Sequence, residues 1–140
     1  MRLVFDGDTL HQSKMGSVTG VFYVQFGSIG FPDERWSDFV VVMGWWIEAI
    51  EKFDRGVADE STLRFMDGPY WISLTRHRDG AVLLRCVEDR KGAGVVHEEF
   101  IDYPAFRAQV RWTVNQVVSA CRRIGIESSE VGILRRYLSN

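Results

Sequence analysis

The sequence predicts an α+β domain in which an antiparallel β-sheet of about five to six strands packs against one central Trp-rich helix and two C-terminal helices. Three observations predict it. Residues 62–101 hold four short runs rich in Val, Ile, Leu, Phe and Tyr, separated by charged, glycine-containing turns, which is the pattern of a four-stranded meander. Residues 31–53 place apolar side chains at helical spacing. Beyond Asp102, two further amphipathic runs are divided by Gly125. Strands and helices segregated in this way are buried most simply by packing helices on an antiparallel sheet.

In chain order, residues 3–5 are a short strand, Asp6-Gly7-Asp8 a turn, and residues 9–14 a second fragment returning beside the first. Residues 18–26 form a firmer strand, with Val18, Phe22, Val24 and Phe26 on one side and Val21, Tyr23 and Gln25 on the other. Gly27 to Gly30 break it. The central helix is expected from Pro32, which suits a first turn, to Phe53. Asp33, Glu34 and Asp38 then lie near the positive end of its dipole. Trp36, Phe39, Val40, Met43, Trp46, Ile47, Ile50 and Phe53 form its stripe, and Val41, Val42 and Trp45 widen it. Residues 40–42 alone read equally well as a buried strand; the length of the run and its charged tail favour helix.

The meander follows, over residues 62–66, 70–76, 81–88 and 95–101, with Asp67-Gly68 as a tight turn. Asp102 and Pro104 start the next helix and Gly125 ends it. Its stripe is Phe106, Val110, Thr113, Val117, Cys121 and Ile124, with Arg107, Arg111, Asn115 and Arg122 opposite. Ser128 or Ser129 caps the last helix, whose Val131, Leu134, Tyr137 and Leu138 face inward. No repeat or linker divides the chain, so residues 1–140 are one domain.

The chain is 46% hydrophobic and 26% charged, as a folded globular domain should be. No apolar run approaches the roughly 20 residues needed to span a membrane. The first residues lack the apolar core of a signal peptide, so a cytoplasmic location is expected. Cys86 and Cys121, on different elements, read as buried free thiols. The net charge of −2 is uneven: residues 103–140 hold six arginines and only Glu127 and Glu130, while the rest is acidic.

No catalytic set stands out. Asp6-Gly7-Asp8-Thr9-Leu10 is similar to the nucleophile motif of haloacid-dehalogenase-type phosphatases, but it is one residue short and lacks the parallel α/β surroundings. His11, His77 and His97 match no metal-ligand spacing, and no serine lies in a nucleophile motif. Gly27 to Gly30 would cradle a phosphate poorly, with Asp33 and Glu34 close behind. Arg107, Arg111, Arg122 and Trp112 are the one candidate for nucleic-acid contact, and the acidic net charge argues against it. No cofactor or metal is expected.

Surfaces remain. Trp36, Trp45, Trp46, Tyr70 and Trp71 are side chains favoured at interfaces, though burial is their commoner fate. Asp33, Glu34, Trp36 and Asp38 make one candidate contact, an aromatic with an acidic rim. Glu98, Glu99 and Asp102 make a second acidic cluster. The Phe31-Pro32 and Trp36-x-Asp38 start, the Trp45-Trp46 pair and the Asp67-Gly68-Pro69-Tyr70 turn, within residues 31–74, resemble immunity proteins of bacterial polymorphic and contact-dependent-inhibition toxins. The resemblance implies a cytosolic, non-catalytic inhibitor of a cognate toxin domain. If that toxin is a nuclease, the acidic clusters would suit its basic groove. The alternatives are a small enzyme using His97, Glu99 or Asp6 at a cleft, and a structural or dimerising subunit that joins through the Trp-rich helix.

Overall fold

A computed structural model describes residues 1–66, 68–90, 92 and 94–138. Its eight strands form two four-stranded antiparallel sheets, accompanied by three helices. The α+β class and the meander are as expected. The strands are more numerous than expected and are divided between two sheets.

The first sheet is built on β2 (Val18–Phe26), whose alternation buries Val18, Phe22, Val24 and Phe26 on the expected side. β1 (Arg2–Gln12) lies along one edge of it. Here the expected turn and returning fragment give way to a single strand. Asp6 pairs with Val21 and His11 with Thr19, so the residues between Asp6 and His11 bulge out. The bulge is held from inside: the Thr9 hydroxyl donates to Asp6 O at 2.6 Å and accepts the Val21 N–H at 2.8 Å.

On the other side of β2 lie two short strands, β3 (Ile29–Phe31) and β4 (Ser37–Phe39). These replace the first part of the expected central helix. Helix α1 runs only from Val42 to Asp54, and no acidic residue occupies its first turn. The backbone groups of residues 29–39 are instead taken by β2: Phe31 pairs with Val24, Ser37 with Val21, and Phe22 N–H donates to Trp36 O. Arg35, at φ 60°, turns the chain between the two strands. Pro32 sits in that connection, not in a helix.

The second sheet is the meander β5 (Glu60–Arg64), β6 (Tyr70–Arg76), β7 (Val82–Glu88) and β8 (Gly94–Ile101), in sequence order. Asp67 of the expected tight turn, and Lys91 and Ala93 of the loop before β8, lie outside the described residues. Helix α2 (Tyr103–Ile124) is capped by Asp102, whose carboxylate accepts the Ala105 N–H, and ends at left-handed Gly125. Its stripe stops short of Ile124, which is 55% exposed. In α3 (Ser129–Leu138), Ser128 is the cap, accepting the Val131 N–H.

α1 packs on β5 and is flanked by α2 and α3, while α2 lies along β1. The Gln109 side chain of α2 accepts the Leu3 N–H. At the centre, Phe22 of the first sheet, Trp46 of α1 and Phe65, just beyond β5, meet ring to ring, with centroids 5.1–6.0 Å apart. The two apolar faces that make α1 so hydrophobic are thus explained by neighbours on several sides. Trp46 is buried, but Trp45 remains 45% exposed.

Candidate partner-binding surfaces

The residues 32–38 form a corner between β3 and β4. Trp36 packs edge-on against Tyr70, with centroids 5.2 Å apart, and its indole N–H donates to Asp38 Oδ2 at 3.1 Å. Asp38 is only 1% exposed. It also accepts the Phe39 N–H at 2.7 Å and, across to the segment that follows Arg64, the Met66 N–H at 3.1 Å. A carboxylate so enclosed is a structural tie between the sheets, so Asp38 departs from its expected place on a contact surface.

Asp33 and Glu34 are exposed at the tip of the corner. Asp33 Oδ1 accepts the Glu34 N–H at 2.8 Å. No ion pair involves either among the described residues. Gly30 sits beneath them, where a Cβ would come within 2.9 Å of the Glu34 backbone, so the corner tolerates no side chain there. Arg35 turns instead to Asp6, at 3.4 Å.

The second acidic cluster divides. Glu98 faces outward on β8 and pairs with Arg85 at 2.9 Å. Glu99 lies on the opposite face and meets His97 Nε2 at 2.9 Å, while the His97 ring stacks on Phe26 at 3.8 Å. Asp102 is engaged as the α2 cap. Glu99 and Asp102 line one cavity of about 230 Å³ with Phe106 and Gln109, and neither His97 nor Asp6 reaches it. Of the three residues His97, Glu99 and Asp6, the first two meet on β8, whereas Asp6 lies on β1 of the other sheet. Cys86, opposite His97 in the β7–β8 register, is fully buried, and burial, reinforced by the charge of Glu99, pushes its thiol up to about 12. No group of three or more His, Cys, Asp or Glu side chains is placed to hold a metal among the described residues.

Two arginines of α2, Arg107 and Arg111, turn towards α1. Arg107 meets Asp54 at 3.3 Å and Arg111 meets Glu51 at 4.0 Å. Among the described residues, no helix is long and apolar enough to cross a membrane.

A third surface was not anticipated. Between α1 and the outer edge of β5 runs a groove of about 370 Å³, lined by Trp45, Ala49 and Phe53 of α1, by Val57 and Ala58, and by the start of β5. Glu48 on its rim accepts a 2.8 Å hydrogen bond from the Tyr137 hydroxyl, which together with Lys52 holds its carboxyl below the usual value. The hint in the sequence was that Trp45, Glu48 and Lys52 share the helical face opposite the buried stripe. Comparison with protein-family models, curated proteins and solved structures finds no match to this chain.

Proposed function

We propose that this chain is a protein-binding module that acts as an immunity protein: in the bacterial cytoplasm it binds a cognate toxin domain and neutralises it without catalysis. The observation that carries the reading is the corner at residues 32–38. Its tip presents two exposed carboxylates, Asp33 and Glu34, neither of them in an ion pair among the described residues. Its base is fixed by the Trp36–Tyr70 contact and by hydrogen bonds from Trp36, Phe39 and Met66 to Asp38. A surface so pre-organised loses little freedom on binding. Its charge steers a basic partner, such as the substrate groove of a nuclease.

The test is co-expression of the chain with the toxin domain encoded beside it, scored by growth and by co-purification. The expected result is rescue of growth and a stable complex. The Asp33→Lys, Glu34→Lys variant should slow association by about tenfold or more at low salt, with a smaller effect at high salt. Failure to neutralise any neighbouring toxin would overturn the immunity reading. Unaltered association of the double variant would instead remove the corner from the interface.

A further inference from the structure

We propose that the groove between α1 and β5 receives an extended segment of a partner protein, which adds as a fifth strand to the open edge of the second sheet. The hydrogen-bonding phase of β5 carries the proposal. Phe65 N–H donates to Tyr70 O, and Arg76 N–H donates to Asp59 O. Bonded positions alternate along an antiparallel pair, so Asp59, Ser61, Leu63 and Phe65 direct their backbone groups to β6. The N–H and C=O groups of Glu60, Thr62 and Arg64 point the other way. At Arg64 the helix answers, because the Trp46 indole N–H donates to that carbonyl at 2.7 Å. At Glu60 and Thr62 no other element does so among the described residues. There the edge opens into the groove, with Trp45 45% and Val57 71% exposed on its wall.

Two features define the occupant. A row of outward backbone donors and acceptors is complemented by another strand, and the apolar wall takes its alternate side chains. The charges set the direction. Asp59 and Glu60 are exposed at one end of β5 and have no ion pair among the described residues, whereas Arg64 at the other end stacks on Trp71 at 5.3 Å. A strand antiparallel to β5 brings its C-terminal end beside Asp59 and Glu60. The segment that fits has small apolar residues at alternate positions and a lysine or arginine near that end. The other open edge, β8, carries Glu98 and a register shift opposite Cys86 and Val87, devices that discourage strand addition. The proposal rests on the reading of this chain as a protein-binding module and not on which protein it binds.

The test uses the whole chain, isotope-labelled, and the peptide acetyl-Thr-Val-Thr-Val-Thr-Lys-amide, titrated to about 1 mM. Two analogues carry N-methyl groups on the valines or on the threonines. Saturable shifts are expected at the Glu60 and Thr62 amides and the Trp45 indole, and one of the two analogues should bind about tenfold more weakly or worse. Thr62→Pro removes an N–H that β6 does not use, so it should abolish binding while leaving the sheet intact. Should that variant fail to fold, the analogues make the same test on the unaltered chain. Absence of saturable shifts, equal binding of all three peptides, or shifts confined to Val95 and Phe100 on the outer face would overturn the proposal. Toxin neutralisation without peptide binding would leave the proposed function standing and remove the groove. Peptide binding without neutralisation would do the reverse.

Discussion

Asp38 shows how much one side chain decides here. It is a carboxylate at 1% exposure that ties β4, the Trp36 indole and the Met66 amide together. Removing it leaves the Trp36, Phe39 and Met66 N–H donors without this acceptor, so Asp38→Ala should lower unfolding stability by about 3 kcal/mol, and Asp38→Asn by less. Urea titration would measure this, and a loss under about 1 kcal/mol would refute the tie. Cys86 makes a second prediction, about pH. Its thiol ionises near 9 when unperturbed and at about 12 in the folded chain. The unfolded chain therefore releases that proton first, so the contribution is intact below about pH 8 and is lost as pH rises from about 9 to 12. Tyr103, raised by burial and then by its hydrogen bond to Asp54, acts in the same direction. Urea midpoints should fall between pH 7.5 and 10.5, and Cys86→Ala should flatten the fall. Neither Cys86 nor Cys121, both buried, should react with a thiol reagent before unfolding.

At the scale of elements, α1 is defined as much by what crosses it as by its own pattern. The Tyr137 ring lies on Gly44, and its hydroxyl reaches Glu48 one turn on. In an exposed helix Gly→Ala would gain close to 1 kcal/mol. Here a Cβ would stand 2.9 Å from the ring, so Gly44→Ala should instead cost about 1–2 kcal/mol by lifting α3. In a Tyr137→Ala background the same change should stabilise. A thermal-unfolding cycle of the four proteins reads the sign, and a stabilising single variant would show that α3 yields freely. The ends of α2 were legible because capping is local: Asp102 and Gly125 act on neighbours three or four residues away. The beginning of α1 was not, because the rival for residues 29–39 was the preceding strand β2, whose free side offered backbone partners that no helical turn could reveal.

At the scale of the molecule, the uneven charge of the chain is resolved in part within the fold. Arg107 and Arg111 of the basic C-terminal part face Asp54 and Glu51 of α1. These pairs are partly exposed, so Arg107→Ala with Arg111→Ala should cost only about 1 kcal/mol. Most of that difference should vanish in about 1 M salt, and a salt-independent loss would mean that packing, not charge, is at work. The sequence by itself determined the α+β class, the buried face of β2, the meander and both ends of α2. Each follows from side-chain period or from hydrogen bonds within a turn. Only the tertiary structure decided that the strands form two sheets, that residues 29–31 and 37–39 are strands, and that Asp38 is buried while Asp33 and Glu34 remain outside. It alone showed which backbone groups of β5 face a groove. The physical reason is the same in each case: an N–H or a carboxylate must find a partner, and which partner is near depends on how distant segments pack.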